Sequence, residues 1–282
     1  MFWIHPDHRA IFATAAADSY DAIVRLRPAD HYVEKQGRST GRYVIGQPGR
    51  SLSFFLKKYH QLSWWQRWFL PLEQYPGPRE RANLERAAAL GVPVPQPLAA
   101  GADREHACRS VLAVRELDGY LPLHQFIPWR FAGPDSSLVR ALRLELTKRL
   151  AEIARRLHAA QLYHCDFYLC HFFVRDSIDA RANSPNSVPG SIQHGPSFDV
   201  VLIDLMRLKH SAARRWQVKD LAQLLFSSDL PGITRTDQLR FFKYYLGTSR
   251  LDVAARQLLR RVLWKARLYH RHNQSLARRA AA

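Results

Sequence analysis

The chain has 282 residues, 47% of them hydrophobic, a share that sustains a core and excludes a wholly disordered chain. Its length suits one large domain or two lobes sharing a cleft. A formal charge of +18 marks a protein drawn to polyanions: nucleic acid, an anionic membrane surface or a phosphorylated glycolipid.

The start, "MFWIHPDHRAIF", lacks the basic-then-apolar pattern of a signal peptide. Residues 1–30 read as a mixed, partly helical N-terminal extension. Residues 31–60 read as strands: "HYVEKQGRSTGRYVI" has apolar or aromatic ends around a Gly/Ser/Thr centre, "GQPG" is a turn, and "SLSFFLKKYH" suits a half-buried strand. "QLSWWQRW" places three tryptophans and an arginine together, which suits either a core element or an anchor at a membrane–water boundary. "GPRERANLERAAAL" (77–90) has a helix pattern closed by Gly91. The prolines of "GVPVPQPL" then forbid its continuation.

"RSVLAVREL" (109–117) is a further strand, and the turn near Asp118–Gly119 opens a helical region. Over 136–162, Leu138, Leu142, Leu146, Leu150, Ile153 and Leu157 recur at spacings of three or four, one helix face. Residues 176–198 form a polar insert rich in Pro, Gly and Ser that reads as a mobile surface loop. "DVVLIDLMRL" (199–208) is expected as a strand, with helices from about Val218 onward. The basic tail (260–282) puts Leu259, Val262, Leu263 and Ala266 on one helix face, suited either to solvent or to anionic lipid. No stretch nears the ~20 apolar residues that span a bilayer. The expected organisation is an extension (1–30), a small β-rich lobe (31–117) and a larger helical lobe (118–282).

The chemistry concentrates in "LYHCDFYLCHFFV" (162–174). Cys165 and Cys170 have no second pair to complete a zinc site, and a redox Cys-x-x-Cys is absent. The three cysteines, Cys108 included, are too few for a disulfide framework and point to a reducing compartment. Protein kinases carry H-R-D, an Asn five positions after the Asp, and later a strand ending in a magnesium-binding Asp. Here His164 and Asp166 stand in "HCD", His171 lies five positions after Asp166, and apolar "VVLI" leads into Asp204. Upstream, Lys58 ends an aromatic strand, Glu80 lies in the next helix, and Gly37 and Gly41 bracket a loop whose N–H groups could cover phosphates. Lys57 rivals Lys58. Strand alternation lets only one of the two face a cleft.

These segments, with "VLIDLMRLKHSAARRWQVKDLAQLLFSS" and "GPRERANLERAAALGVPVPQPLAAG", resemble the bacterial lipopolysaccharide kinase family of Kdo and heptose kinases, from roughly residue 30 to 247. The resemblance implies an α+β, bilobal, protein-kinase-like fold and an ATP-dependent phosphotransferase acting on a sugar of the lipopolysaccharide inner core. It implies Lys58 as the nucleotide lysine with Glu80 as its partner, Asp166 as catalytic base, Asp204 as the Mg²⁺ ligand and Asp220 as an anchor beneath the loop. His164 reads as a structural hydrogen-bonding residue. Cys165 stands where kinases carry arginine, which predicts no switching by phosphorylation of an activation segment. His171 stands where ordinary kinases carry asparagine, and imidazole is a poor Mg²⁺ ligand, so it either contacts phosphate or packs structurally. The expected partners are an anionic glycolipid acceptor and an anionic membrane surface, on the cytoplasmic face of the inner membrane. The alternatives are a kinase for a protein or small-molecule acceptor, and a nucleotide-binding scaffold without turnover. No recognition motif for nucleic acid accompanies the charge.

Overall fold

The computed structural model describes residues 1–30, 32–35, 37–47, 49–176 and 198–281. The expected mobile insert, apart from its two end residues, lies outside the described residues. The chain separates into two compact units: Met1–Ala89 with Val94–Asp118 and Asp204–Met206, and Leu90–Pro93 with Gly119–Ile203 and Arg207–Ala282.

The first unit is built on an antiparallel sheet. Its strands run in the spatial order β1 (Phe2–Ile4), β5 (Pro97–Ala102), β6 (Ser110–Arg115), β4 (Arg50–Tyr59), β3 (Arg38–Gln47) and β2 (Tyr32–Lys35). Residues 1–30 belong to this unit. They supply edge strand β1 and the short helices α1 (Arg9–Thr14) and α2 (Tyr20–Arg25), whose Phe12 and Ile23 meet Tyr43, Phe54, Leu56 and Val111 in one core. Alternation sends the neighbouring residues to the other face. There α4 (Pro76–Ala89) lies against β4, β5 and β6. Gly77 sets how closely it lies: a Cβ at this position would stand 2.0 Å from the Val111 carbonyl oxygen, and the Gly77 N–H donates to Ser110 Oγ at 2.8 Å. Only glycine admits that approach, which brings Glu80, one turn on, to the sheet.

Between β4 and α4 lies the short helix α3 (Trp64–Phe69), opened by a capping box of Ser63 and Gln66. It is not a core element. Trp64, Trp68 and Phe69 are 71%, 62% and 73% exposed.

The second unit is mainly helical: α5 (Leu123–Phe131), α6 (Ser137–Ala159), α7 (Arg215–Ser227), α8 (Arg235–Leu246) and α9 (Val253–Ala281). On α6 the expected face buries Leu142, Leu146, Leu150, Ile153 and Leu157, while Leu138, in the first turn, stays exposed. Helix α6 packs on α8, and α9 packs along α7 with Val262 and Ala266 inward. Two small antiparallel ladders complete the unit. One is β7 (Leu121–Pro122), β9 (Phe172–Asp176) and β10 (Phe198–Leu202); the other pairs β8 (Leu162–Tyr163) with β11 (Lys209–His210). The strand expected over 199–208 ends at Leu202, because Asp204 adopts φ +61, a left-handed conformation no strand accommodates. Among the described residues, no helix is long and apolar enough to cross a membrane.

Candidate active site

In the first unit, adjacent lysines on β4 divide. Lys57 shares the α4 face, and its Nζ donates to Glu80 Oε1 at 2.7 Å and to Asp204 Oδ1 at 3.1 Å. Glu80 is 1% exposed, and its other oxygen accepts from the Tyr59 hydroxyl at 3.3 Å. Three residues along α4, Asn83 Nδ2 donates to the Leu205 carbonyl at 2.8 Å, so the helix that orients the lysine also holds the segment carrying Asp204. Burial alone would lower the Lys57 pKa, but the negative charge of Glu80, and with it that of Asp204, more than reverses this. The ammonium therefore stays charged, fixed between two carboxylates.

Lys58 corrects the sequence expectation. It faces α2, where Nζ donates to the carbonyls of Val24 and Leu26 at 2.7 and 3.1 Å and lies 5.1 Å from the Tyr43 ring centroid. It caps the C-terminal end of α2, where a cation is favourable. Burial lowers its pKa. It is Lys57 that Glu80 holds. Gly41 is likewise displaced from its expected place: it lies inside β3, paired with Tyr32 and Leu56, and not in a loop. Gly37 does sit in the β2–β3 turn, at φ +69, where its carbonyl accepts from the N–H groups of His60 and Gln61. Thr40 stands opposite Lys57 in the β3–β4 register, on the same face.

In the second unit, the segment His164–His171 is pinned by one face of α7. Asp220, fully buried, accepts from the N–H groups of His164 (2.7 Å) and Cys165 (2.9 Å), and from His158 Nε2 (3.3 Å). Lys219 Nζ donates to the Cys165 carbonyl at 2.7 Å. Gln223 Oε1 accepts from the Phe167 N–H at 3.0 Å, and Ser227 Oγ from the Leu169 N–H at 3.0 Å. These four residues recur at helical spacing along α7. They hold Cys165 at φ +65, a conformation rare for any residue but glycine.

The side chain of Asp166 therefore rises from a fixed backbone. It is 27% exposed, with Arg207 Nη1 3.8 Å from Oδ2. His171 closes the segment: Nδ1 lies 2.6 Å from the Asp166 carbonyl. A carbonyl only accepts, so Nδ1 bears a proton and donates it. His164, fully buried, places Nε2 3.0 Å from the Ile203 carbonyl, and the Ile203 N–H donates to the His171 carbonyl at 2.9 Å. Asp204 is the next residue in the chain.

Exposure separates the four carboxylates. Glu80 and Asp220 are sealed, whereas Asp166 and Asp204 keep 27% and 26% of their side-chain surface. The sealed pair can only organise protein groups, and the other two can reach a ligand. Lys219, Gln223, Ser227 and Arg207 escaped the sequence reading; the helical spacing of "KDLAQLLFS" around Asp220 is the signal that could have found the first three.

An antiparallel sheet backed by a glutamate-bearing helix, joined in sequence to a helical unit that presents an aspartate loop, is the fold of kinase-like phosphotransferases. The chain belongs to the lipopolysaccharide kinase (Kdo/WaaP) family, whose model matches residues 24–245. It is 27% identical over 237 residues to the lipopolysaccharide core heptose(I) kinase WaaP of Pseudomonas aeruginosa, covering 81% of this chain and 80% of that one. It is 34% identical over 127 residues to the Escherichia coli protein of the same name, covering 44% of this chain and 42% of that one. A solved structure, WaaP in complex with acyl carrier protein, is similar in fold. Its TM-score is 0.63 at 24% identity, with 96% of this chain and 98% of that chain covered.

Proposed function

We propose that the protein transfers the γ-phosphoryl group of ATP to a sugar hydroxyl, heptose or Kdo, of the lipopolysaccharide inner core. The observation that carries this reading is the locked lysine of the first unit, Lys57 between Glu80 and Asp204; the rigidly mounted, accessible Asp166 of the second unit supports it separately. Lys57 holds the nucleotide phosphates, and the β2–β3 turn at Gly37 covers them. Asp204 offers a hard carboxylate oxygen, the donor that Mg²⁺ prefers. Mg²⁺ bound there would neutralise charge developing on the phosphates. Asp166 orients the acceptor hydroxyl and takes its proton. His171 acts by closing the loop through Nδ1. With little covalent chemistry required of the protein, positioning and electrostatics supply the rate.

The test is wild-type protein with γ-labelled ATP and Mg²⁺, offered intact core glycolipid, deacylated core oligosaccharide, a protein mixture and free sugars. Label is expected in the two core acceptors, and chelation of Mg²⁺ is expected to abolish it. Label confined to protein or to free sugars would replace the acceptor class. Bound ATP with no label transferred would favour the scaffold.

The same reading includes contact with an anionic membrane surface from the cytoplasmic side. Helix α3 offers it a cluster of exposed aromatics with Arg67, a composition suited to the headgroup boundary, on a chain of charge +18. Helix α9 adds Arg256, Arg260, Arg261 and Arg271 on its exposed side. Changing Trp64, Trp68 and Phe69 to serine is expected to weaken binding to anionic vesicles by about tenfold or more, each ring contributing burial in the interface. Cosedimentation checks this, and unaltered binding would remove α3 from the contact.

A further inference from the structure

We propose that Lys209, Arg214 and Arg215 form an anion site that docks the carboxylate or phosphate groups flanking the acceptor hydroxyl. The inference rests on Asp166 as the group that receives that hydroxyl, and it names what selects the acceptor. Between Leu205 and Lys219 the chain carries Arg207, Lys209, Arg214, Arg215 and Lys219 and no Asp or Glu. The segment is tied to the Asp166 loop at several points. Lys209 pairs with Tyr163 in the β11–β8 register, and the Ser211 N–H donates to the Gln161 carbonyl. Lys219 reaches the Cys165 carbonyl, and Arg207 reaches Asp166. The cations are gathered. Lys209, Arg215 and Lys219 lie 4.4, 5.3 and 5.6 Å from the ring centroid of Trp216, whose negative face holds them despite their mutual repulsion.

A run of surface charge ordinarily means a solvated face. Some surface arginines elsewhere in this unit pair with acids, as Arg140 does with Asp135 and Arg149 with Glu145, while Arg260 and Arg261 on α9 have no acid partner among the described residues. The basic segment differs from those in being tied to the Asp166 loop and gathered on Trp216. Among the described residues, no carboxylate pairs with Lys209, Arg214 or Arg215. Exposed and like-charged, on a segment tied to the Asp166 loop, they lack the negative charge that would balance them. Lys219 is excluded from the site because its ammonium holds the loop. A saccharide bearing carboxylates or phosphate esters beside its reacting hydroxyl supplies that charge, whereas a neutral sugar does not.

The experiment compares wild type with the triple variant Lys209→Gln, Arg214→Gln, Arg215→Gln, using deacylated core oligosaccharide and its carboxyl-reduced, dephosphorylated derivative. The KM for the anionic acceptor is expected to rise by about tenfold for each cation removed, with the KM for ATP and the kcat little changed. Wild type should show a comparable rise with the neutral derivative, to which the triple variant adds no further penalty. Arg214→Lys with Arg215→Lys should restore most of the affinity. An unchanged acceptor KM, or an equal penalty with the neutral derivative, overturns the site. If wild type fails to phosphorylate the oligosaccharide, the assignment of Asp166 falls. Equilibrium binding of the same oligosaccharide to wild type and triple variant then decides the anion site: a tenfold or larger loss supports it and equal affinity rejects it. All three side chains are exposed, and an unchanged thermal midpoint confirms an intact fold.

Discussion

Lys57→Met is expected to lower kcat/KM for phosphoryl transfer by about 10²–10³-fold, the usual effect of removing one fixed charge-stabilising donor, while Lys58→Met leaves it within about threefold. The two residues are adjacent, equal in charge and on the same strand, so general electrostatics does not separate them. Geometry does: Lys57 lies between Glu80 and Asp204, and Lys58 donates to two carbonyls at the end of α2. The stability effects should follow the same division. Loss of Lys58 removes two hydrogen bonds, roughly 1–2 kcal/mol. Loss of Lys57 strands buried Glu80, at a cost of up to about 3–5 kcal/mol, so transfer is measured well below the variant's unfolding midpoint. Equal loss of transfer in both variants would refute the division.

Asp220→Ala is expected to be the most damaging substitution outside the ligand-reaching groups. Its carboxylate satisfies two backbone N–H groups and a histidine, all buried. Removing it leaves those donors unsatisfied, a cost of about 3–5 kcal/mol by comparison with other broken buried charge networks. For a unit of this size, that lowers the unfolding midpoint by roughly 10 °C. Where the variant remains folded, transfer should still be impaired, because His164 and Cys165 lose the anchor that keeps Cys165 left-handed. Calorimetry and transfer rates together check this, and a midpoint near that of wild type would contradict it.

The order of the chemical groups was legible in the chain: a strand lysine, a helix glutamate, an HxD loop and an aspartate after an apolar run. Strand alternation also required the two lysines to part. Which one turned inward was not legible, because Phe54 and Phe55 make both faces of β4 look apolar. The face is decided by the packing of α1 and α2, from a segment that read as an extension. Gly41 misled for a related reason. A glycine near a turn resembles part of the turn, yet the ladder on both sides places it in β3. The support from α7 was half visible: Asp220 stood out, while Lys219, Gln223 and Ser227 act through backbone groups that leave no trace in composition. The exposure of the α3 tryptophans ran against their apolar character, since large aromatics usually go inside. Residues 177–197 lie outside the described residues.

The central claim is that Asp166 acts on the acceptor and not on the nucleotide. Single-turnover transfer by Asp166→Asn, with Mg²⁺·ATP affinity measured alongside, tests it most directly. The expected result is ATP binding within about threefold of wild type and a transfer rate reduced by about 10²–10⁴-fold, the range of a lost general base. Transfer to core glycolipid at the wild-type rate would contradict the account.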